Sequence, residues 1–568
     1  MNPIALSPDS RNRAIERLAS GEELDVVVVG GGVVGTGCAL DAVTRGLTTG
    51  LIEARDFASG TSSRSSKLVH GGLRYLEMFD FRLVHEALLE RGLMLTRLAP
   101  HLVRPVPFLY PLTHLGWERG YVEAGLSLYD SMARTTGNDG GLPWHKHLSR
   151  RATLRIAPAL KKSSLTGAVQ YYDAKVDDAR HTMEVARTAA TYGAHVASRV
   201  AAVGFLRQGE RVTGVQALDK LTGREFDIHA RQVVNATGVW TDETQAMVGE
   251  RGQFHVRASK GIHLVVPRDR IHSRSGMILR TETSVLFVIP WGRHWIIGTT
   301  DTVWNLDKAH PAATSADIEY LLDHVNRFLT TRLTQADVEG VYAGLRPLLA
   351  GESDQTSKLS REHVVAHPTP GLVVVAGGKY TTYRIMARDA IDETVRTLGG
   401  SLPESTTENI PLVGAVGFQA MWNRRAALAK ESGLHVERIE KMLMRHGILT
   451  TEIIDLVASD AALGEPLPGG EDYLRAEIAY AASHEGALHL DDILARRTRL
   501  SIETFDRAIG ASRPAAEIVA PILGWDAATV DNEVEHYRQR VEAERTSQTM
   551  PDDESADHAR LRAPDING

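Results

Sequence analysis

The 568-residue sequence holds one cysteine, Cys38. A single thiol forms no internal disulfide and supports no thiolate metal cluster, which points to the reducing cytoplasm. Cys38 falls on an apolar stretch where the first helix is expected, and it reads as a small core residue. No run of about 18 apolar residues occurs, so a membrane-spanning helix is not expected; attachment to a membrane surface stays open. The first 25 residues lack the continuous apolar stretch of a secretory leader. There is no basic stripe. With 64 Lys and Arg against 71 Asp and Glu the net charge is −7, the wrong balance for a nucleic-acid surface. The 23 histidines are scattered, with no HExxH and no helix of paired carboxylates, so no metal site is expected. Internal repeats and a serine nucleophile elbow are also missing.

What is present is globular. The chain is 43% hydrophobic and 24% charged, near the norm for folded proteins. Its length exceeds one hydrophobic core and predicts two or three domains.

Residues 25–53 read as a βαβ unit. Val26 to Val29 is a β-branched run suited to a strand buried on both faces. Gly30-Gly31-Gly32-Val33-Val34-Gly35 follows, then a helix over Thr36 to Arg45 and a second strand over Thr48 to Ile52, closing at Glu53. Gly30 permits the tight turn, Gly32 lets backbone approach a pyrophosphate, and Gly35 lets the helix pack close to the strand. The helix start offers free N–H groups to the phosphates. Glu53, 18 residues after Gly35, suits a ribose and repels a 2′-phosphate. The turn itself does not separate FAD from NAD. Two distant strand ends, Asn235-Ala236-Thr237-Gly238 and Gly377-Gly378, favour the extended FAD, whose contacts come from non-adjacent segments.

Further strands are expected at 262–266, 285–289 and 294–298, with a hairpin turn over Pro290-Trp291-Gly292-Arg293, and helices at 81–98 and 178–192. After about residue 404 helical patterns dominate.

The order of several motifs then resembles the FAD-dependent, respiratory glycerol-3-phosphate dehydrogenases. The matching stretches are Thr61-Ser62-Ser63-Arg64-Ser65-Ser66-Lys67-Leu68-Val69-His70-Gly71-Gly72-Leu73-Arg74-Tyr75-Leu76, Val176-Asp177-Asp178-Ala179-Arg180, Lys260-Gly261-Ile262-His263 and Ile297-Gly298-Thr299-Thr300-Asp301. They continue with Gly344-Leu345-Arg346-Pro347-Leu348, Gly377-Gly378-Lys379-Tyr380-Thr381-Thr382-Tyr383-Arg384 and Leu490-Asp491-Asp492-Ile493-Leu494-Ala495-Arg496-Arg497-Thr498-Arg499, covering about 24 to 540. The resemblance implies an α/β fold: a glutathione-reductase-like FAD-binding Rossmann domain, an antiparallel-sheet substrate domain and a C-terminal all-helical domain. The FAD-binding segments are placed at about 24–76, 177–256 and 355–403, interleaved with substrate-domain segments at about 77–176 and 257–354. The helical domain spans 404–543, where covering the active site and making a subunit contact both stay open. The last residues, 544–568, hold few large apolar groups and are expected to be disordered.

The resemblance also assigns roles. Cofactor contacts are expected from Gly30, Gly32, Gly35, Glu53, Thr61, Ser62, Ser63, Ser66, Lys67, Leu68, Gly71, Gly72, Val200, Ala236, Gly238, Trp240, Gly378, Lys379 and Thr381. Arg74, Tyr75, His263, Thr299, Arg346, Arg361 and Lys379 are expected to face the substrate. A guanidinium donates two parallel hydrogen bonds to phosphate, which makes Arg346 the expected clamp and Arg361 a second candidate. His263 suits the base that removes a hydroxyl proton, with Lys379 or Arg346 as rivals or electrostatic partners. The implied reaction oxidises sn-glycerol 3-phosphate to dihydroxyacetone phosphate, with electrons passed to a membrane quinone. Peripheral attachment to the inner face of the cell membrane and a homodimer follow from the same resemblance. Arg82, Arg91, Arg97 and Arg104 beside Leu93, Met94, Leu98, Phe108 and Leu109 suit a surface resting on anionic lipid, but an ordinary core-facing helix plus loop suits the same pattern at least as well, so membrane attachment rests on the resemblance alone. A glycerol-3-phosphate oxidase that uses oxygen, or a non-catalytic flavin-binding interaction protein, are the alternatives.

Overall fold

The structure, a computed structural model, describes residues 3–76, 80–114, 116–137, 141–249, 255–281, 285–350, 362–399, 403–563 and 565–566. Val26 to Val29 is indeed a strand, Leu24–Val29, with nearly every position buried. It lies at the centre of a parallel sheet. Leu372–Gly377, Arg224–Asn235, Leu24–Val29, Thr49–Glu53 and His195–Ser198 follow one another across it, and antiparallel His363–Thr369 closes the edge. Val29 pairs with Asn235 on one side and Ile52 on the other, so three strand ends meet at the glycine turn. The helix begins at Val33, three residues before its expected start, because the turn already supplies its first N–H groups. Helices Val33–Thr44, Asp178–Thr191 and Tyr383–Leu398 cover one face of the sheet around a core that includes Cys38. The antiparallel strands Val200–Gln208 and Arg211–Asp219 extend Arg224–Asn235 on the other side.

A second, ten-stranded sheet is mostly antiparallel and draws on residues 68–175 and 256–349. Its long central strand, Val256–Pro267, pairs with Gly340–Leu349 over ten residues and with His294–Gly298 along its C-terminal half. His263 therefore lies between Gly298 and Tyr342. The hairpin expected over 290–293 is tighter: the strand runs through Trp291, and Gly292 turns the chain with φ +50°.

From residue 418 onward the chain is helical apart from a short hairpin. This region is bonded to the first sheet's layer by buried ions. Asp56 accepts from Arg496 Nε at 2.5 Å and from Arg497 Nη1 and Nη2 at 2.7 and 2.6 Å. Asp178 accepts from Arg499 Nη2 at 2.6 Å and from Lys67 Nζ at 2.8 Å.

The disorder expected of the tail does not hold for its described residues 544–563: helix Ala527–Ser547 runs on into them, and helix Asp553–Arg560 buries Ala556, Ala559 and later Ala563. Small alanines on one face do what large apolar groups were expected to do, and Asp553 reaches buried Lys260. In the segment from Arg82 to Leu109 the core-facing alternative describes the apolar side chains, while Arg82 and Arg97 are exposed. Leu93, Met94, Leu98, Phe108 and Leu109 are buried. Arg91 is held by Asp173 at 2.6 Å, and Arg104 donates to the carbonyl of Met444 at 2.7 Å.

Removing one partner of a buried ion network leaves the rest uncompensated, at about 3–5 kcal/mol. Asp178→Ala is expected to lower the unfolding free energy by about that amount in denaturant titration; a change under 1 kcal/mol, roughly the value of a surface pair, would show the network to be incidental.

Candidate functional site

A cavity of about 670 Å³ runs along the C-terminal ends of the parallel strands to the second sheet. Its wall comes from segments as distant as Gly30 and Met386. At one end lie Glu53, Arg55, Val200, Ala202 and Lys220; at the middle the glycine turn, Thr61, Ser62, Ala236, Gly238 and Trp240; beyond them Gly378 and Thr381.

The glycine turn is a close-packed cradle. Gly30 has φ +114°, and a Cβ there would stand 2.7 Å from the carbonyl oxygen of Ala236. A Cβ at Gly35 would stand 1.9 Å from the Gly30 carbonyl oxygen, so Gly35 acts beneath the wall, seating the helix on the turn. Gly32 is the helix N-cap, extended and without a side-chain cap, and it faces the cavity. Val33 N–H donates to Ser62 Oγ at 2.9 Å. Glu53 accepts from the backbone N–H of Gly31 at 2.6 Å and of Arg55 at 2.8 Å. Burial nonetheless holds its carboxyl above the ordinary range. An elongated space, an open helix start, a carboxylate beyond it and a backbone cleared by glycine fit a dinucleotide with two linked phosphates.

The far end is cationic and aromatic. Arg346 lies across from Ser259 in the strand pair, and its Nη1 donates to Ser259 Oγ at 3.3 Å. Its Nη2 donates to Thr299 Oγ1 at 3.1 Å and to the Thr300 carbonyl at 3.2 Å. Asp301 stands 3.5 Å away. Gly261 makes room for this head: a Cβ there would come within 2.6 Å of Arg346 Nη2. His263 is 2% exposed and stacks on Tyr342 with ring centroids 4.6 Å apart. Its Nε2 is 2.8 Å from Ser66 Oγ, and its buried Nδ1 has no hydrogen-bond partner among the described residues. Burial, with the charges of Arg346 and Lys67 added, pushes the imidazole well below the ordinary histidine range. The imidazole is neutral at physiological pH. Lys379 follows the Gly377-Gly378 turn and sets its ammonium 3.5 Å from the centre of the Tyr75 ring. Tyr75, His70 and Phe287 complete this wall.

The structure thus brings Gly30, Gly32, Glu53, Thr61, Ser62, Ser66, Leu68, Tyr75, Val200, Ala236, Gly238, Trp240, His263, Thr299, Arg346, Gly378, Lys379 and Thr381 to one cavity. Four expected cofactor residues have other duties. Ser63 gives its carbonyl to Lys67 Nζ at 3.0 Å. Lys67 is fully buried, and an ammonium without water needs its carboxylate, Asp178. Gly71 donates to Tyr129 Oη at 2.8 Å, and Gly72, with φ +74°, turns the chain so that Tyr75 reaches the wall. Arg361 lies outside the described residues, as does the side chain of Arg74. Ser65, His70, Thr237, Phe287 and Lys220 line the cavity and were missed. The first two fall inside a motif already singled out, where alternation of wall and interior residues is not regular enough to sort them.

A strand–glycine turn–helix cradle, a carboxylate beyond it and a substrate end of histidine, arginine and lysine define a flavin-dependent oxidoreductase. Residues 25–384 match the FAD dependent oxidoreductase family, and residues 405–530 match the C-terminal domain of alpha-glycerophosphate oxidase. The chain is 58% identical to glycerol-3-phosphate dehydrogenase 2 of Mycobacterium tuberculosis (strain ATCC 25618 / H37Rv) over 561 residues, 99% of this chain and 95% of that one. It is 35% identical to the mitochondrial glycerol-3-phosphate dehydrogenase of Homo sapiens over 546 residues, 92% and 74% of the two chains. Among solved structures, the glycerol-3-phosphate dehydrogenase of Bacillus halodurans complexed with FAD has a TM-score of 0.77 at 28% identity, covering 94% of this chain and 98% of that one. The chain belongs to the FAD-dependent glycerol-3-phosphate dehydrogenase family, and its cofactor is FAD.

A methyl group at Gly30 would collide with backbone. Gly30→Ala is expected to purify folded but with little bound flavin, read as flavin absorbance per chain; full occupancy would mean that the turn does not hold the pyrophosphate.

Proposed function

We propose that the enzyme oxidises sn-glycerol 3-phosphate to dihydroxyacetone phosphate and passes the electrons to a membrane quinone. The observation that carries the reading is the pairing, on one wall, of Arg346 with a neutral His263. The phosphate docks on Arg346, whose fork suits two phosphate oxygens. In doing so it replaces the contacts that Thr299 and Asp301 make in the absence of substrate. Docking holds C2 close to its acceptor, where alignment governs rate. His263 takes the C2 hydroxyl proton at Nε2, which Ser66 Oγ otherwise satisfies. FAD, when bound, would supply the two-electron acceptor for the hydride that leaves C2. Lys379, on the same cavity wall, would supply a cation to offset the negative charge of a reduced flavin.

Among the described residues no helix is long and apolar enough to cross a membrane. Delivery to a quinone then calls for a surface contact. Helix Trp117–Thr135 supports one: Trp117, Tyr121 and Leu128 recur on one face at 63%, 50% and 40% exposure. Trp144 is exposed beside Arg134, whose guanidinium lies 4.8 Å from the indole centre. Aromatic rings with flanking arginine suit a lipid interface. On this reading the protein is cytoplasmic and rests on the inner face of the cell membrane.

Arg346→Ala is expected to raise KM for glycerol 3-phosphate at least tenfold with flavin retained, and His263→Ala to lower kcat about 10²–10⁴-fold. Unchanged KM, or unchanged kcat, would remove the respective residue from its role. Acceptor choice is read by reducing the enzyme anaerobically with glycerol 3-phosphate and following reoxidation. Quinone in anionic vesicles should act faster than air, and Trp117→Ser/Tyr121→Ser should slow the vesicle reaction while sparing a water-soluble quinone analogue. Faster reoxidation by air would favour an oxidase, and no bleaching by substrate would overturn the reading altogether.

A further inference from the structure

Outside the cavity the fold assembles a second cluster of ligating side chains. Helix Trp117–Thr135 carries Glu123 and Asp130, seven residues or two turns apart and so on the same side of the helix. The segment facing it supplies His145 and His147, the latter in strand Lys146–Ser149, where it pairs with Val169 of the sheet. The Glu123 carboxylate touches His147 Nε2 and lies 3.3 Å from His145 Nε2. One donor atom from each of Glu123, His145 and His147 falls within 4.8 Å of the other two. Tetrahedral zinc holds its donors at about 2.0–2.2 Å, which puts them about 3.3 Å from one another.

We propose that Glu123, His145 and His147 bind a divalent transition-metal ion, Zn²⁺, through two imidazole Nε2 atoms and one carboxylate oxygen. Asp130 is the positioning residue. Its Oδ2 accepts from His145 Nδ1 at 2.7 Å and from the His145 backbone N–H at 2.9 Å. A proton held on Nδ1 leaves the Nε2 lone pair for the metal, the carboxylate–histidine–metal arrangement that fixes ring and tautomer together. His145 is pinned with only 6% of its side chain exposed, while Glu123, at 44%, leaves an approach from solvent. Imidazole with carboxylate suits zinc, and three protein ligands leave its fourth position to water. The two histidines do not line the FAD cavity. The ion ties the 145–149 segment to a helix whose Tyr129 supports Gly71 under the catalytic wall.

The test uses the full-length, FAD-loaded enzyme without added histidine tags, stripped with EDTA and dialysed against Zn²⁺, with metal counted by mass spectrometry. Wild type is expected to take up one saturable Zn²⁺ per chain more than a His145→Ala/His147→Ala variant and to melt at higher temperature with the metal bound. Asp130→Asn should weaken binding about 10–100-fold while keeping the stoichiometry. If the double variant loses its flavin or fails to fold, Glu123→Gln at a solvent-facing position replaces it and should weaken Zn²⁺ binding at least tenfold. Zinc-edge X-ray absorption should count two imidazoles in the wild-type complex. Equal uptake by wild type and variants, no saturable uptake, or a site with fewer than two imidazoles would each overturn the proposal.

Discussion

The carboxylate of Asp178 holds three parts of the molecule in register. It is fully buried and accepts from Lys67 Nζ, Arg499 Nη2, Ser65 Oγ and the Ser65 backbone N–H. Lys67 and Ser65 belong to the loop that forms one long wall of the cavity; Arg499 belongs to the C-terminal helical region; Asp178 itself opens helix Asp178–Thr191 beneath the parallel sheet. Buried charges need partners of opposite sign, and for the fully buried Lys67 ammonium that partner is Asp178. The neighbouring Asp177 takes Arg499 Nε at 3.2 Å, so the guanidinium bridges two acids. The helical region therefore does not simply sit beside the redox site. It closes the electrostatics of the loop on which Ser66 and Leu68 reach the cavity.

That loop explains why the cavity has two unlike ends. Along the parallel strands the wall is backbone: the Gly30 N–H is spent on the Ile52 carbonyl at 2.9 Å, the helix starts at an N-cap, Gly32, without a side-chain cap, and side chains are cleared away by the close approach of Gly30 to Ala236. Across the second sheet, side chains do it. His263 and Arg346 stand on paired antiparallel strands, whose fixed register keeps Ser259 opposite Arg346 and Tyr342 opposite His263. A phosphate pair needs many weak donors along a line, whereas a small hydroxyl substrate needs a few strong groups at set distances. Each sheet type supplies what its own geometry makes precise.

Much of this was legible in the chain. Three glycines after a β-branched run, an acid at the next strand end, and later Gly-rich strand ends were legible as the Rossmann turn and its flanking strand ends because each is a local device. His263, Arg346 and Lys379 were readable only through the resemblance, since no local pattern distinguishes a strand histidine in a core from one on a wall. The ion network was not legible: Arg499 and Asp178 are 321 residues apart, and nothing at either position marks the other. The pairing of Lys67, expected at the cofactor, with Asp178 was hidden for the same reason. The arginines at 82–104 imitate an amphipathic membrane surface, yet Arg91 turns inward to Asp173, a partner 82 residues away. The last helix was missed because alanine carries its apolar face, and composition counts large side chains. The cluster at Glu123 joins a helix to a strand 24 residues further on, a spacing no ligand motif encodes.

The proximity of Arg346 and His263 sets a constraint on the reaction that geometry alone does not show. In the substrate-free site the guanidinium is among the charges that depress the imidazole, after burial itself. Asp301 at 3.5 Å offsets that charge only in part. A phosphate dianion arriving on Arg346 reverses the local balance, and a histidine whose pKa has been lowered by a cation recovers basicity when that cation is neutralised. On the proposed reading the base is thus weakest when the site is empty and strongest when the substrate's phosphate is in place. His263 stays neutral in the free enzyme, ready to accept, and gains its pull on the C2 hydroxyl proton from the same contact that positions C2. Binding energy from the non-reacting phosphate is in this way converted into proton affinity at the reacting carbon's oxygen.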